Sequence, residues 1–291
     1  MEYSISKHDM IMPVQSGQVL VDDIGKTQVE QGQVAIWWLG QSGYAIKTTS
    51  MTFYVDLYLS EHLTRKFADT PKPHVRITHA PLRGRDLRNV RYVFSSHKHS
   101  DHLDPGTMPH IFTKNPDARL ILPHAIAKHA DSFGLDSSRF IPTNGDDTLE
   151  LDALTVHVLP SAHENFDYDH TVGYPYVGFV FEVDGVTLYH SGDTVVYEGL
   201  AERLAKFNLD IAFLPINGTD ERRRKLKVPP NMNGDEALAL AAQIGNPLII
   251  PHHYDMFTLN TADVNVFAQA AQAANHPHQV LQCGEKFVFT K

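Results

Sequence analysis

The stretch that decides the fold reads Ser95-Ser96-His97-Lys98-His99-Ser100-Asp101-His102-Leu103-Asp104-Pro105, and it directly follows the apolar run Tyr92-Val93-Phe94. His97 and His99 are two residues apart, so on an extended backbone both rings leave the same face. Asp101 and His102 come where the chain must leave the strand. Since the chain holds 18 histidines, a histidine-rich surface loop is the simplest alternative. The order His-x-His-x-Asp-His at a strand end favours two pairs of metal ligands instead.

Strands and helices are predicted on both sides of this stretch. Short apolar runs predict strands over 34–39, 44–47 and 51–56, and their close spacing indicates an antiparallel meander because parallel pairs need longer crossovers. Asp104 is the expected N-cap of a helix near 105–113, with Pro105 at its first position. Further strands are predicted over 91–95, 119–122, 139–141, 148–159, 176–183, 186–190, 210–214, 247–251 and 286–290. Further helices are predicted over 16–30, 124–133, 196–207, 234–244 and 262–274.

These elements fit an α/β sandwich, in which two packed sheets are covered by helices on the outside. We expect one domain over residues 1–291, with residues 1–33 as an N-terminal extension that packs on it. Residues 60–90 carry Pro, His and Arg without a clear period and are predicted to form a long loop over one face. Such a loop is either a binding loop or lid, or a solvated insertion.

Composition excludes several classes of function. A formal net charge of −9 argues against general nucleic-acid affinity, because phosphate backbones favour clustered Lys and Arg. Cys283 is the single cysteine, so neither an intrachain disulfide nor a thiolate zinc site is expected. The first residues lack a signal-peptide pattern, and no apolar run approaches the roughly 20 residues that span a bilayer. We therefore expect a cytoplasmic protein that binds neither nucleic acid nor membrane.

The His97–His102 stretch resembles the signature of the metallo-β-lactamase superfamily of binuclear metallohydrolases, which have an αββα sandwich of two mixed sheets packed face to face. The resemblance implies three further ligands, each after a strand, and the chain has His163, Asp193 and His253 in that order. It assigns two ions per chain. The first ion would be held by His97, His99 and His163, and the second by Asp101, His102 and His253, with Asp193 bridging them.

The last of these ligands has a competitor, since His252 directly precedes His253. We prefer His253 because relatives place the ligand two residues after the proline. All of the predicted ligands are nitrogen or oxygen donors, which suits zinc, manganese or iron and does not choose among them.

The resemblance also implies a mechanism. Two ions roughly 3.5–4 Å apart share a bridging water and lower its pKa from about 15.7 toward neutrality, which makes a hydroxide nucleophile. Asp101 is expected to hydrogen-bond this hydroxide and then shuttle a proton. His190 is expected either to orient Asp193 or to meet the substrate.

Further motifs are similar to those of the L-ascorbate-6-phosphate lactonase-like branch of the superfamily, namely Trp37-Trp38-Leu39-Gly40-Gln41-Ser42-Gly43, Tyr189-His190-Ser191-Gly192-Asp193 and Asn231-Met232-Asn233. The similarity implies that the enzyme opens a lactone, or cleaves a related ester, of a small anionic substrate such as a phosphorylated sugar acid. Relatives often form homo-oligomers. Lys98 is a departure, because relatives often carry Asp at that position.

A basic loop between a predicted strand and helix bears on the substrate. Five of the six residues 222–227 are Lys or Arg, and Arg222, Arg223 and Arg224 are predicted to bind a substrate phosphate, which Arg does bidentately. Asn217 and Asn231 flank this loop and are expected to add neutral hydrogen bonds. The alternative is a solvated charged loop.

Two other functions stay open at this point. The same bimetal hydroxide attacks phosphorus as well as carbon, so a metal-dependent phosphodiesterase is one alternative. A non-catalytic metal-binding sensor is the other. The complete ligand set argues against the sensor, because a degenerate member is expected to have lost some ligands.

Overall fold

The computed structural model describes residues 10–291, which form an αββα sandwich. The strands are β1 Gln33–Gly40, β2 Gly43–Lys47, β3 Thr52–Val55, β4 Tyr92–Phe94, β5 Arg119–Pro123, β6 Phe140–Thr143, β7 Thr148–Leu151, β8 Leu154–Pro160, β9 Val177–Val183, β10 Val186–His190, β11 Ile211–Pro215, β12 Leu248–His252 and β13 Lys286–Thr290. The α-helices are α1 Gly17–Lys26, α2 His62–Lys66, α3 Met108–Lys114, α4 His124–Asp131, α5 Leu200–Leu204, α6 Glu221–Lys225, α7 Gly234–Gln243 and α8 Val264–Ala273. Short 3-10 turns lie at Gly84–Asp86 and Ser137–Arg139.

The strands form two mixed sheets, as expected from the sequence. One has seven strands in the order β13-β1-β2-β3-β4-β5-β6, and the other has six in the order β12-β11-β10-β9-β8-β7. The predicted meander is confirmed, because β1, β2 and β3 pair antiparallel. From β3 to β6 the pairing is parallel, and so is that of β10, β11 and β12. The predicted helices join β4 to β5, β5 to β6, β10 to β11 and β11 to β12, whereas β3 is joined to β4 through the segment predicted as a loop.

Strand β1 shows how the apolar runs build two layers of core. Val34, Ile36 and Trp38 pack between the two sheets. Ala35, Trp37 and Leu39 point to the outer face, where they pack with α1, α3 and α4. Both faces are buried, so the strand is a continuous apolar run rather than an alternating one. Helices α5, α7 and α8 pack against the six-stranded sheet.

Aromatic side chains fill the space between the sheets below the predicted site. The Phe94 ring at the end of β4 lies 5.8 Å from Phe53 on β3 and 4.9 Å from Phe181 on β9, centroid to centroid. These edge-to-face pairs are fully buried and link both sheets directly beneath the His97–His102 stretch. The loop therefore starts from a rigid base.

The functional edge of the sandwich follows from strand direction. Strands β3 and β4 of one sheet and β8, β10 and β12 of the other run the same way within their sheets. Loops at the carboxyl ends of such strands collect at one edge, which is where α/β proteins bind ligands. The predicted metal ligands all follow these strands.

The predicted N-cap at Asp104 is wrong. Helix α3 begins at Met108, with Pro109 in its first turn. The Asp104 carboxylate instead accepts hydrogen bonds from the Gly106 amide at 2.8 Å and the Ser60 hydroxyl at 2.8 Å. It therefore joins the loop around residue 60 to the turn before α3, and the chain winds into a helix one turn later than predicted.

Other predicted elements differ in length. The helix predicted over 196–207 is confined to α5, because Gly199 before it has a left-handed φ of 89°. The loop predicted over 60–90 contains α2, and the polar segment before residue 232 contains α6. Of the predicted N-terminal extension, residues 1–9 lie outside the described residues, and α1 packs its Leu20 and Ile24 on the seven-stranded sheet.

Candidate metal centre

The loop after β4 turns back on itself and so brings its ligand-type side chains together. The amides of His102 and Leu103 both donate to the carbonyl of His99, at 2.9 and 2.8 Å. The Ser95 hydroxyl donates to the carbonyl of His102 at 3.0 Å. This turn places the rings of His97 and His102 with their centroids 4.1 Å apart.

One group of possible ligands comprises His97, His99 and His163, whose ligand atoms lie within 4.8 Å of one another. The Nε2 of His97 is 3.0 Å from the Nδ1 of His99. His163 follows β8, and its Nδ1 lies 3.1 Å from the carbonyl of Pro230. If Nδ1 carries the proton and donates to that carbonyl, Nε2 keeps its lone pair for the cluster.

A second group comprises Asp101, His102 and His253, whose ligand atoms also lie within 4.8 Å of one another. The Oδ2 of Asp101 is 3.7 Å from the Nε2 atoms of both histidines. His252 points elsewhere, because its Nδ1 lies 2.9 Å from the Ser42 hydroxyl and its ring stacks on His190. Of the two adjacent histidines, it is therefore His253 that reaches this group.

Asp193 lies between the two groups. Its Oδ1 is 3.2 Å from the Nε2 of His102, and its Oδ2 is 3.6 Å from His163 Nε2 and 3.4 Å from His253 Nε2. It also forms a third possible ligand group with His97 and His102. One carboxylate therefore faces both sets of imidazoles, which is the position a bridging ligand needs.

The atoms left without partners fit a divalent cation. The Nδ1 of His102 is 2.7 Å from the buried carboxylate of Asp56, which accepts the Nδ1 proton and directs Nε2 at the cluster. That Nε2 and the facing Oδ1 of Asp193 are buried, and neither has a hydrogen-bond partner within residues 10–291. These two atoms lie 3.2 Å apart, and a cation between them would replace the His102 proton and take a lone pair from each.

The protonation states also fit metal binding. Burial lowers the pKa of His97 well below its usual value, and burial together with His163 lowers that of His99 to about 4. Burial raises the pKa of Asp193, but His102 and His253 outweigh this and hold it well below the usual value. Neutral imidazoles and ionised carboxylates are the forms that bind metals.

His102 differs from its neighbours. Burial disfavours its charged form, but the carboxylates of Asp193, Asp56 and Asp101 outweigh burial and hold its pKa well above the usual value. The same negative field stabilises a divalent ion at this position.

Two residues in contact with the cluster escaped the sequence analysis. Asp56 follows β3, accepts from the Ser96 amide at 2.7 Å and the Ser96 hydroxyl at 2.6 Å, and so fixes both the loop and His102. Gln41, in the turn between β1 and β2, donates from Nε2 to the Oδ2 of Asp101 at 2.8 Å. Asp56 carried one usable signal, since it is an acid directly after a strand, and Asp193 likewise follows a strand within three residues.

His190 lies behind the cluster and does not line the cavity above it. Its Nε2 donates to the Ser42 carbonyl at 2.9 Å, and its Nδ1 accepts from the Gly192 amide at 3.1 Å. Through Gly192 it holds the turn that carries Asp193. This contact fits the first of the two predicted roles, which was to orient Asp193.

The structure does not bring the predicted phosphate-binding arginines into the cavity. Arg222 and Arg224 are exposed on α6. Arg223 is buried, and its guanidinium bonds to Asp220 and to the Asn217 carbonyl at 2.8 Å each. The side chains of Asn217 and Asn231 bond to each other at 3.1 Å, and Asn217 also donates to Asn260, which does line the cavity.

A cavity of about 350 Å³ opens above the cluster, with His99, Asp101, His163 and Asp193 in its wall. This volume is in the range of small-molecule sites. The predicted loop over 60–90 supplies much of the opposite wall, including Phe67 and His74. That segment therefore lies where a binding loop is expected.

Comparison with known proteins agrees with this architecture. Residues 67–254 match the family model described as the beta-lactamase superfamily domain. This span contains all seven predicted metal ligands. In the described part of the chain, no helix has the length and apolar character that crossing a membrane requires.

Curated relatives include hydrolases and a lactonase. A UPF0173 metal-dependent hydrolase of Nanoarchaeum equitans is 30% identical over 189 residues, which cover 64% of this chain and 80% of the relative. A probable L-ascorbate-6-phosphate lactonase, UlaG, of Escherichia fergusonii is 24% identical over 280 residues, which cover 85% of this chain and 77% of the relative.

Solved structures share the fold. An isothiocyanate hydrolase from Delia radicum gut bacteria superposes with a TM-score of 0.70 at 17% identity, covering 88% of this chain and 100% of that one. A metallo hydrolase from Ignicoccus hospitalis gives a TM-score of 0.64 at 22% identity, covering 89% and 99%. At these identities the superpositions show a common fold and nothing further.

Proposed function

The chain belongs to the beta-lactamase superfamily of metal-dependent hydrolases, and from this premise we propose that it is a binuclear enzyme that opens a lactone, or cleaves a related ester, of a small anionic substrate. One observation carries the proposal. Seven residues with metal-ligand chemistry, drawn from four loops, form one cluster, and four of them line a single cavity. We propose that His97, His99 and His163 hold one ion, that Asp101, His102 and His253 hold the other, and that Asp193 bridges them.

When bound, the ions, for which zinc or manganese is the first choice and iron the third, would supply Lewis acidity and a water whose pKa falls from about 15.7 toward neutrality. The chain's own contribution to proton transfer is Asp101. Burial raises the pKa of Asp101, but His102 and His253 outweigh this and hold it below its usual value, so the group is a carboxylate at neutral pH. It accepts the proton of the attacking water as the new C–O bond forms. It then returns that proton to the ring oxygen as the ester C–O bond breaks.

Gln41 supports this chemistry by its contact with Asp101, and Asn260 supports it from the cavity wall. The amide of Gln41 donates to Asp101 and keeps its carboxylate directed at the cluster. Asn260 is held by Asn217 at 2.9 Å and by Arg223 at 3.1 Å, which leaves a fixed polar group in the cavity wall. The lactone assignment itself rests on likeness to lactonases such as that of Escherichia fergusonii.

The test is turnover by protein stripped with a chelator and reloaded with zinc or with manganese. Substrates are a sugar lactone, the same lactone phosphorylated, and bis(p-nitrophenyl) phosphate. The proposal expects lactone opening that is lost with the chelator and regained with metal. Faster cleavage of the phosphodiester than of either lactone contradicts it in favour of a phosphodiesterase, and no turnover of any ester favours a metal sensor.

A matched pair of variants links turnover to the cluster. His163→Ala removes one proposed ligand and is expected to lower kcat/KM at least about 100-fold at limiting metal, since even residues that only orient ligands cost 10–100-fold in metal affinity. His124→Ala removes an exposed histidine on α4 outside the cluster and is expected to keep wild-type turnover. Equal activity of the two variants contradicts the assignment.

A further inference from the structure

Three lysines line the same cavity as the metal-ligand cluster. They are Lys66 at the end of α2, Lys72 in the following loop and Lys98 between His97 and His99. Among the described residues, the acids in the cavity wall are Asp101 and Asp193, both of which are proposed metal ligands. In a chain with a net charge of −9, this local group of positive charge is an exception that needs a reason.

Among the described residues, no carboxylate neutralises the charges of these lysines. The lysines that do pair with carboxylates among residues 10–291 are Lys26, Lys225, Lys286 and Lys291. The three cavity lysines form no such pair within that range. Like charges gathered without counter-charges repel each other, so the arrangement is stabilised when an anion binds among them.

Two of these lysines share an aromatic support. The ammonium groups of Lys66 and Lys72 lie 5.4 and 5.5 Å from the centre of the Phe67 ring. The ring of His74 stacks on Phe67 at 4.5 Å, and its Nδ1 lies 2.9 Å from the Lys72 carbonyl. Both charges are thus held against the same ring at the cavity wall.

The third lysine approaches from the metal-binding loop. Burial lowers the pKa of His129, a cavity residue on α4, and the nearby charges of Lys98 and Lys66 lower it further. Lys66, Lys98 and His129 all line the cavity. Because Lys98 immediately precedes His99, a molecule that reaches the cluster also passes this charge.

We propose that Lys66, Lys72 and Lys98 form an anion subsite that binds an oxyanion of the substrate, a phosphate monoester or a carboxylate, while its ester lies at the metal-ligand cluster. This assignment rests on the proposed function. Lysine suits the task because its ammonium is a mobile point charge on a flexible stem. The cavity lysines, and not Arg222 to Arg224, thereby determine preference for charged substrates.

The first test measures anion binding without turnover. Metal-stripped protein is titrated at pH 8 with inorganic phosphate and, separately, with acetate. Phosphorus NMR or thermal shift gives the Kd of phosphate, and thermal shift gives that of acetate. Single Lys→Gln variants at the three positions are expected to weaken binding roughly two- to fivefold each, as exposed charge pairs do, and the triple variant is expected to weaken it roughly 10- to 100-fold. Lys98→Arg keeps the charge and is expected to retain binding.

Comparing the two anions identifies the group that binds, and a control variant tests whether the position of the lysine matters. Tighter binding of phosphate than of acetate assigns the subsite to a phosphate group, and the reverse assigns it to a carboxylate. Lys128→Gln removes an exposed charge beside His129 but outside the cavity wall, and it is expected to bind like the wild type. Absence of binding by the wild type, or equal binding by the triple variant, overturns the proposal.

The second test separates this proposal from the proposed function. With metal loaded, the triple variant is expected to show a KM raised at least about tenfold for the phosphorylated lactone and little changed for the plain lactone, with kcat nearly constant. If the wild type opens neither lactone, the proposed function fails and the binding titration still judges the subsite. If lactones are opened but the rise in KM follows Arg222→Ala/Arg224→Ala instead of the lysine variants, the subsite is refuted.

Discussion

Replacing Asp56 by Asn tests how the fold prepares His102 for metal. The carboxylate of Asp56 is fully buried and accepts from the Ser96 amide and from the Nδ1 of His102, both at 2.7 Å. An amide of the same shape satisfies only one of these two donors, because its second atom is itself a donor. The backbone N–H cannot change its role, whereas an imidazole can move its proton from Nδ1 to Nε2. The conflict is therefore resolved at His102, whose Nε2 is then no longer a ligand.

The magnitude follows from the lost interaction. A hydrogen bond to a charged group contributes about 1.5–3 kcal/mol, which is on the order of a 10- to 150-fold change in an equilibrium constant. Loss of a residue that orients a metal ligand typically costs about 10–100-fold in affinity. We therefore expect the second ion to bind about 10–100-fold more weakly, while the ion at His97, His99 and His163 is much less affected.

The assay is a zinc titration of chelator-treated protein against a competing chelator, with the melting temperature recorded to verify folding. Asp152→Asn is the matched control, because Asp152 is also an Asp at positive φ, 56° against 47° for Asp56, and bonds only to Arg91 and Tyr92 at a distance from the cluster. The control is expected to bind both ions like the wild type. Two ions bound with unchanged affinity by Asp56→Asn refute the reasoning.

Three further predictions address the reaction, the fold and the single cysteine. Asp101→Asn should lower kcat by roughly 10²–10⁴-fold while the first ion is retained, and near-normal turnover in the lactone assay refutes the proton-transfer role. Asn233→Ala removes the side chain that accepts from the Glu236 amide at 2.9 Å in the capping box of α7, so urea unfolding should show a loss of about 1 kcal/mol, and an unchanged midpoint contradicts this. Burial raises the pKa of Cys283 to about 12, so the thiol of the native protein should resist iodoacetamide at pH 8 and react only after unfolding. Rapid labelling of the native protein contradicts the buried placement.

The fold and the metal-ligand cluster were predictable because both leave strong local patterns. A run such as Val34 to Leu39 is buried on both faces and so is apolar throughout. His163, Asp193 and His253 each follow such a run, and the parallel strand ends then bring them together without further information. Resemblance to a known signature supplied their order.

Residues whose roles depend on long-range contacts were not predictable in the same way. Asp56 and Gln41 belong to no pattern of metal ligands in the sequence, and their contacts with His102 and Asp101 arise across 46 and 60 residues of chain. Asp104 has the residue type of an N-cap, but its carboxylate is taken by Ser60 and by the turn before α3. A local pattern does not report such competition.

The pattern of basic residues in the sequence did not indicate which of them line the cavity. The run Arg222 to Arg224 is conspicuous in sequence, yet Arg223 is bound internally and its two neighbours face solvent. Lys66, Lys72 and Lys98 are dispersed over 33 positions and share a cavity only after folding. Whether they or the arginines bind the substrate anion stays a prediction for the titration above.

We propose that seven residues hold two ions at the edge of the sandwich. The most direct measurement is crystallography of zinc-loaded protein with anomalous differences recorded on both sides of the zinc edge. We predict two anomalous peaks, one among His97, His99 and His163 and the other among Asp101, His102 and His253, with Asp193 contacting both. A single peak, or strong peaks away from these residues, contradicts the account.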